Sequence, residues 1–201
     1  MTDYTAQYYI LRSPDGHSVP HLSADPDTLR RTSSYTPHPV GSSPLVFRNG
    51  WKGRNREGGV KDVVTPILFH ATNPVVRTPL CEALLDLQLP HVHMHPAIYI
   101  DDRDTWHKDY WYVTFSKLFD CWDRALSDTS KNFVESNGQR RYDVYEYVFD
   151  EALLDKTPLE ERLLFQMGGT ISEFVFCHES IVKLFQQDRP NGAKLVLASE
   201  Y

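Results

Sequence analysis

Hydrophobic positions are unevenly spread along the 201 residues. Tyr8-Tyr9-Ile10-Leu11 predicts a strand near the start, and from Ser13 to Gly59 apolar residues then thin out among Pro, Ser, Gly and His. Six prolines, Pro14, Pro20, Pro26, Pro37, Pro39 and Pro44, punctuate that stretch. A structureless loop of such length is unusual inside a compact domain, so short strands or turns are expected there, anchored by Val46, Phe47 and Trp51. From Val60 the pattern tightens. An apolar run covers Val63, Val64 and Ile67 to Phe69, and Thr78-Pro79 then reads as a helix N-cap followed by proline at the first helical position. Leu80, Leu84 and Leu87 recur at helical spacing, which predicts an amphipathic helix ending near Pro90.

His91 to Ile100 predicts a strand, and Tyr110 to Phe115, rich in aromatic and β-branched residues, predicts its hairpin partner across a loop carrying Asp101, Asp102 and Asp104. A third strand is expected over Tyr142–Phe149. There Tyr142, Val144, Glu146 and Val148 alternate with Asp143, Tyr145, Tyr147 and Phe149. Asp150 is placed to cap a short helix, and Thr157-Pro158 opens a turn leading to Leu163, Leu164 and Phe165. Phe174 to Cys177 reads as a buried strand followed by a helix with Ile181, Leu184 and Phe185, and Asn191-Gly192 as the turn into a last strand, Lys194 to Ala198. No repeat emerges. Strands and short helices in irregular order predict an α+β fold, one mainly antiparallel mixed sheet with short helices packed on it. The expected layout is a single domain, 1–201, with a loop-rich segment at 13–59 and a core at 60–201.

Composition narrows the class of function. Apolar residues at 41% and charged residues at 24% are those of a globular protein, and a net charge of -6 disfavours a surface built to neutralise phosphates, so no nucleic-acid partner is expected. Arg30-Arg31 and Arg140-Arg141 are too short for a basic track. No apolar run approaches the roughly 18 residues of a membrane span. The first residues lack the basic start and apolar stretch of a secretory signal, so no membrane partner and a cytoplasmic location are expected. Three cysteines without close spacing, Cys81, Cys121 and Cys177, read as reduced core thiols.

Three clusters carry candidate chemistry. His91, His93 and His95 occupy alternate positions, so a strand would set three imidazoles on one face, the ligand type zinc, copper or nickel favours; Asp101, Asp102 and His70 are further candidate ligands. The competing reading puts these histidines on a half-exposed polar face, with Val92 and Met94 toward the core. Asp120, Asp123 and Ser127 have spacings that share a helical face, and capping or loop ordering is their favoured role. The third cluster combines Trp106, Trp111 and the flanking Asp101, Asp102, Asp104 and Asp109, the mixture of aromatic anchors and charge that protein-binding hot spots use. Neither a nucleophile elbow nor a phosphate loop occurs, and Gly58-Gly59 and Gly168-Gly169 read as turns.

From about Val63 onward the chain resembles the bacterial immunity proteins that accompany polymorphic secreted toxins, in particular immunity protein family eleven or a near relative. The resemblance is carried in order by Thr65-Pro66-Ile67-Leu68-Phe69, the helix from Leu80 to Leu87, His95-Pro96-Ala97-Ile98-Tyr99-Ile100, and Tyr110-Trp111-Tyr112-Val113-Thr114 with Asp120, Asp123 and Ser127. It continues through Leu164-Phe165-Gln166 and the segment from Glu173 to Lys183. His95 stands where that family more usually shows an aromatic, and the first 60 residues have no counterpart. The resemblance implies a cytosolic antitoxin that binds a cognate secreted toxin domain, with no catalytic residue and no cofactor; a homodimer is left open. On it, Asp101, Asp102, Asp104, Trp106, Asp109 and Trp111 are expected to face the toxin. The alternatives from other classes are a metal-dependent hydrolase or metalloprotein using His91, His93 and His95, and an adaptor module without inhibitory action.

Overall fold

Alternation along a strand needs something to cover each face, and in this chain most strands fall into two sheets that cover one another. The computed structural model describes residues 3–16, 19–32, 36–60, 63–136, 138–186 and 192–201. The N-terminal elements are β1 (Tyr8–Arg12), β2 (Leu22–Ala24), α1 (Pro26–Thr32), β3 (Leu45–Asn49) and α2 (Lys52–Glu57). Then come β4 (Ile67–His70), β5 (Asn73–Arg77), α3 (Thr78–Asp86), β6 (Val92–Ile100), β7 (Trp106–Phe115) and β8 (Leu118–Phe119). The chain continues with β9 (Asp128–Ser136), β10 (Gln139–Glu146), α4 (Glu151–Lys156), β11 (Leu164–Met167), β12 (Val175–His178), a 310 helix (Glu179–Phe185) and β13 (Lys194–Leu197). The architecture is α+β.

The larger sheet runs β2-β3-β6-β7-β5-β4, with β3 parallel to β6 and every other neighbour antiparallel. A parallel bridge between His21 and Phe69 links its two edges, so the sheet curls almost into a six-stranded barrel. Its interior is filled by inward-pointing residues of all six strands, including Leu22, Phe47, Leu68, Val75, Tyr99 and Tyr112. Tyr110, also inside, places its hydroxyl by donating to the Thr65 carbonyl at 2.5 Å, so the ring is buried without an orphaned polar atom. Pro96 sits within β6 because β3 begins to pair only at Ala97, and no ladder bond is lost there to its missing N–H.

The second sheet, β13-β1-β12-β11-β8, is antiparallel except for β11 and β8. One face, with Leu11, Leu164, Val175 and Cys177, packs on the outside of the barrel against Phe69, Val76, Val113 and Phe115. The other face, with Tyr8, Ile10, Phe165 and Phe176, is covered by Trp122, Tyr147, Phe149 and Leu154. A hairpin of β9 and β10 stands apart as a two-stranded sheet.

A supersecondary unit occurs twice, although the sequence shows no repeat. In β4-β5-α3 an antiparallel hairpin leads directly into a helix, and β11-β12 leads in the same way into the 310 helix Glu179–Phe185. Both helices bury apolar residues in one core: Cys81 and Leu84 from the first, Ile181, Val182 and Phe185 from the second. Different loops, 71–72 in one hairpin and 168–174 in the other, hide the likeness from any fixed period.

The short strands expected in the Pro-rich segment are present as β2 and β3, both in the barrel, with Phe47 fully buried as an anchor. Other expectations need correction. The N-cap of α3 is Arg77; Thr78 lies inside the helix, where its hydroxyl accepts from Trp111 Nε1 at 3.0 Å and donates to the Asp109 carbonyl at 3.2 Å, and the helix ends at Asp86. The strand expected over Tyr142–Phe149 is displaced to Gln139–Glu146, with register shifts on either side of Val144. Tyr145 and Tyr147, expected on one face, therefore separate into an exposed and a buried ring. Strand β9 has no apolar alternation to announce it, and Leu164–Met167 is a strand where the sequence pattern assigned no element. The stretch 120–127 is a turn, not a helix. Asn191 of the expected Asn191-Gly192 turn lies outside the described residues. Gly192 itself takes φ +81° with the Ile67 carbonyl and Thr65 so close that a Cβ would overlap them.

Phe185 is fully buried where the two hairpin–helix units meet, whereas Leu85 on the outer side of α3 is 55% exposed. Phe185→Ala is expected to cost about 3–5 kcal/mol in urea unfolding, and Leu85→Ala no more than about 0.5 kcal/mol. Equal effects would contradict this placement of the core.

Candidate functional site

The loop from β6 to β7 is built around one carboxylate. Asp101 accepts through Oδ1 from the backbone N–H groups of Arg103 and Thr105, both at 2.9 Å, and its Oδ2 lies 3.0 Å from His107 Nε2. Burial alone would raise the Asp101 pKa, but the hydrogen bonds from His107, Thr105 and Arg103 outweigh it and hold the carboxyl below its ordinary value. Asp104 takes a left-handed backbone, φ +60°, to close the turn. A register shift between Ala97 and Tyr99 then lets His107 and Tyr110 both turn toward Tyr99, at ring separations of 5.8 and 6.2 Å, although plain alternation sets them on opposite faces. Trp106 is left pointing outward, 53% exposed.

The other acidic side chains of the loop are engaged within the molecule. Asp104 lies 3.2 Å from Arg48 and 3.6 Å from Lys52, and Asp102 accepts from Asn49 Nδ2 at 3.2 Å. Asp109 lies 3.5 Å from Arg77, and Trp111 is half-buried with its N–H on Thr78. Of the six residues expected to face a partner, the loop therefore presents one large free surface, the Trp106 ring, in a frame of paired charges. Arg48, Asn49 and Lys52, which complete that frame, come from β3 and α2 in the segment that sequence reasoning left without a role. Beside it an open cleft of about 470 Å³ is lined by Lys52, Arg56, Val60, Val64, Asp101, Asp102 and Arg103, so its mouth mixes both signs of charge.

The three histidines do not share an environment. The face of β6 that carries His95 continues into the barrel interior through Ala97 and Tyr99, and His95 is itself buried. Its Nε2 lies 2.9 Å from the Arg31 guanidinium, which also donates to the Ser43 carbonyl at 2.8 Å. The same Nε2 lies 3.0 Å from the Ser43 carbonyl, so this nitrogen is enclosed between a donor and an acceptor of the protein itself. Burial first, then the Arg31 charge, lowers the His95 pKa, partly opposed by the contact with the Ser43 carbonyl. The His93 Nε2 is buried without a hydrogen-bond partner among the described residues, and His91 lies at the wall of a separate cavity of about 120 Å³ between Phe115 and Phe165. Val92 and Met94 pack on the core between barrel and sheet. Among the described residues no three His, Cys, Asp or Glu side chains come together to hold a metal ion.

Asp120, Asp123 and Ser127 order a turn. Asp123 accepts from the N–H groups of Ala125 at 2.7 Å and Leu126 at 3.1 Å, and the Ser127 hydroxyl exchanges hydrogen bonds with both backbone groups of Val148. Asp120 pairs with Arg124 at 2.5 Å, and that guanidinium lies over the Trp122 ring at 4.2 Å. The three cysteines are free and buried, and burial pushes the Cys81 thiol up to about 11 and Cys177 up to about 12, which leaves them inert as nucleophiles. No helix among the described residues is long and apolar enough to cross a membrane. Neither a protein-family model nor a curated protein matches the chain.

Burial, as the largest cause, lowers the pKa of His38, His70, His93, His95 and His178 from 6.5. The unfolded chain therefore binds more protons than the folded one just below that value, and stability rises with pH there. The urea midpoint is expected to be highest above pH 6.5 and to fall as pH drops toward 5; Asp101 adds a further loss below about pH 4. A midpoint unchanged between pH 7.5 and 5 would contradict these burials.

Proposed function

We propose that the protein is a cytoplasmic immunity protein that binds and neutralises a cognate secreted toxin domain through a protein–protein interface, and that it acts by occupancy, not catalysis. The observation that carries the reading is the presentation of Trp106. A large aromatic side chain is held outward at the first position of β7, next to a loop whose backbone is fixed by Asp101 and whose charges are tied to Arg48, Asn49 and Lys52. Such an anchor loses little freedom on binding, and its rim of paired charges suits a partner surface of matching polarity. The ordered resemblance to the toxin immunity proteins supports the same reading, because the segments that carry it fall on β4, α3, β6, β7, β11, β12 and the 310 helix that follows. A variable surface on a common scaffold is what recognition of differing toxins requires.

Arg48, Lys52, Arg103 and Trp106 form the surface to test. Trp106→Ala is expected to weaken binding of a cognate toxin domain by about tenfold or more, and to reduce protection in co-expression, with the melting temperature unchanged. Asp101→Ala is expected to weaken protection together with a lower melting temperature, since this carboxylate holds the loop. Full protection by the Trp106→Ala variant would move the interface away from this loop.

A further inference from the structure

Strand β8 is only Leu118–Phe119, and its parallel pairing with β11 begins at Gln166, opposite Leu118. Just before it the chain still belongs to the barrel side, since the Ser116 N–H donates to the His91 carbonyl at 3.0 Å. The first half of β11, Leu164 and Phe165, is therefore paired with β12 on one side and with no strand among the described residues on the other. A gap is left there between barrel and second sheet, and α4 with the 310 turn after it, Leu159–Glu161, supplies another of its walls. It is the cavity of about 120 Å³ that His91 borders. Its lining is largely apolar, with Phe115, Phe119, Leu153, Leu164 and Phe165. Phe115, Leu164 and Phe165 belong to the buried core. An engineered apolar void of about 150 Å³ stays dry and holds benzene, so a space of this kind accepts a small apolar body.

Three charged side chains line the same cavity and are exposed, which sets them at its opening: Lys117, just before β8, and Glu160 and Glu161 in the 310 turn. None of the three forms an ion pair or a side-chain hydrogen bond among the described residues, so Lys117 pairs with neither glutamate. Opposite charges held apart beside an apolar void select a ligand by its head group. An ammonium alone meets Lys117 as a like charge, and a carboxylate alone meets two glutamates. A zwitterion answers both signs.

We infer that this cavity is a site for a free apolar α-amino acid, whose side chain enters between Phe115, Leu164 and Phe165, whose ammonium meets Glu160 and Glu161, and whose carboxylate meets Lys117. A side chain the size of leucine, methionine or phenylalanine suits the space, being close to that of benzene. The Trp106 loop takes no part in it, so the inference stands or falls separately from the proposed function.

Titration of the full chain with L-phenylalanine and with L-leucine, followed by calorimetry and amide-resolved NMR, tests it without any toxin. Both are expected to bind with a Kd below about 1 mM, shifting the amides of Phe115, Lys117 and Leu164. Phenylalaninamide lacks the carboxylate, N-acetylphenylalanine lacks the ammonium and glycine lacks the side chain, and each is expected to bind about tenfold more weakly or worse. Lys117→Gln is expected to raise the Kd for phenylalanine about tenfold and to leave that for phenylalaninamide unchanged. Leu153→Phe, which fills the void, is expected to abolish binding without lowering the melting temperature. Should that variant fail to fold, the comparison of the two ligands on the exposed Lys117→Gln decides alone. Absence of binding by either amino acid up to about 10 mM would overturn the inference. Phenylalaninamide binding as tightly as phenylalanine would overturn it too, and would assign the cavity to the N-terminus of a peptide; equal binding of N-acetylphenylalanine would overturn it in favour of a C-terminus.

Discussion

The contact on which the rest depends is the apolar layer between the outside of the barrel and the inner face of the second sheet. It gathers β4, β5 and β7 from one side, β1, β11 and β12 from the other, and the two helices that follow the hairpins. Each hairpin–helix unit alone exposes an apolar face; set against each other, each covers its mate. The sheet made by β1, β11 and β12 has two apolar faces, so a second layer around Trp122, Tyr147 and Phe149 is needed on its far side. The chain enters this arrangement at its start through β1 and returns at its end through β13, both in the same sheet. Contacts of such long sequence separation place the molecule among slow, topology-limited folders.

The barrel has a different logic. A curved sheet leaves an interior that must be filled, and aromatic residues from β3, β6 and β7 fill it, with the Tyr110 hydroxyl satisfied by a backbone carbonyl. Closing it depends on the N-terminal segment: β2 and β3 supply the strands, and Arg31 reaches across to His95 at the open end. The same segment sends Arg48, Asn49 and Lys52 to the acidic loop. Residues 13–59 are thus not an appendage on a finished core. They complete the sheet that places Trp106 and neutralise the charges around it.

Two kinds of surface result. The Trp106 loop is rigid, with its carboxylates committed to the molecule's own hydrogen bonds, and offers a partner shape more than charge. The β9 edge is different in kind: no strand pairs with its outer side among the described residues.

The sequence by itself determined the elements whose periodicity answers to a single neighbour: β1, α3, the β6–β7 hairpin, the Asp150-capped α4 and β12, together with the α+β class. Local chemistry sufficed there, because alternation, a cap or an apolar run already specifies which side is buried. Only the tertiary structure decided the rest. The Pro-rich segment forms β2 and β3 because the barrel offers ladder partners that its own sequence does not announce, and β9 exists because β10 pairs with it. The histidines at alternate positions looked alike, yet the strand runs from a surface into the barrel mouth, so His91, His93 and His95 meet three different surroundings. The acidic residues looked free, yet arginine and lysine some fifty residues earlier in the chain bind them. Charge and ring count can be read from a sequence; which charges are already answered is set by what the fold brings alongside them.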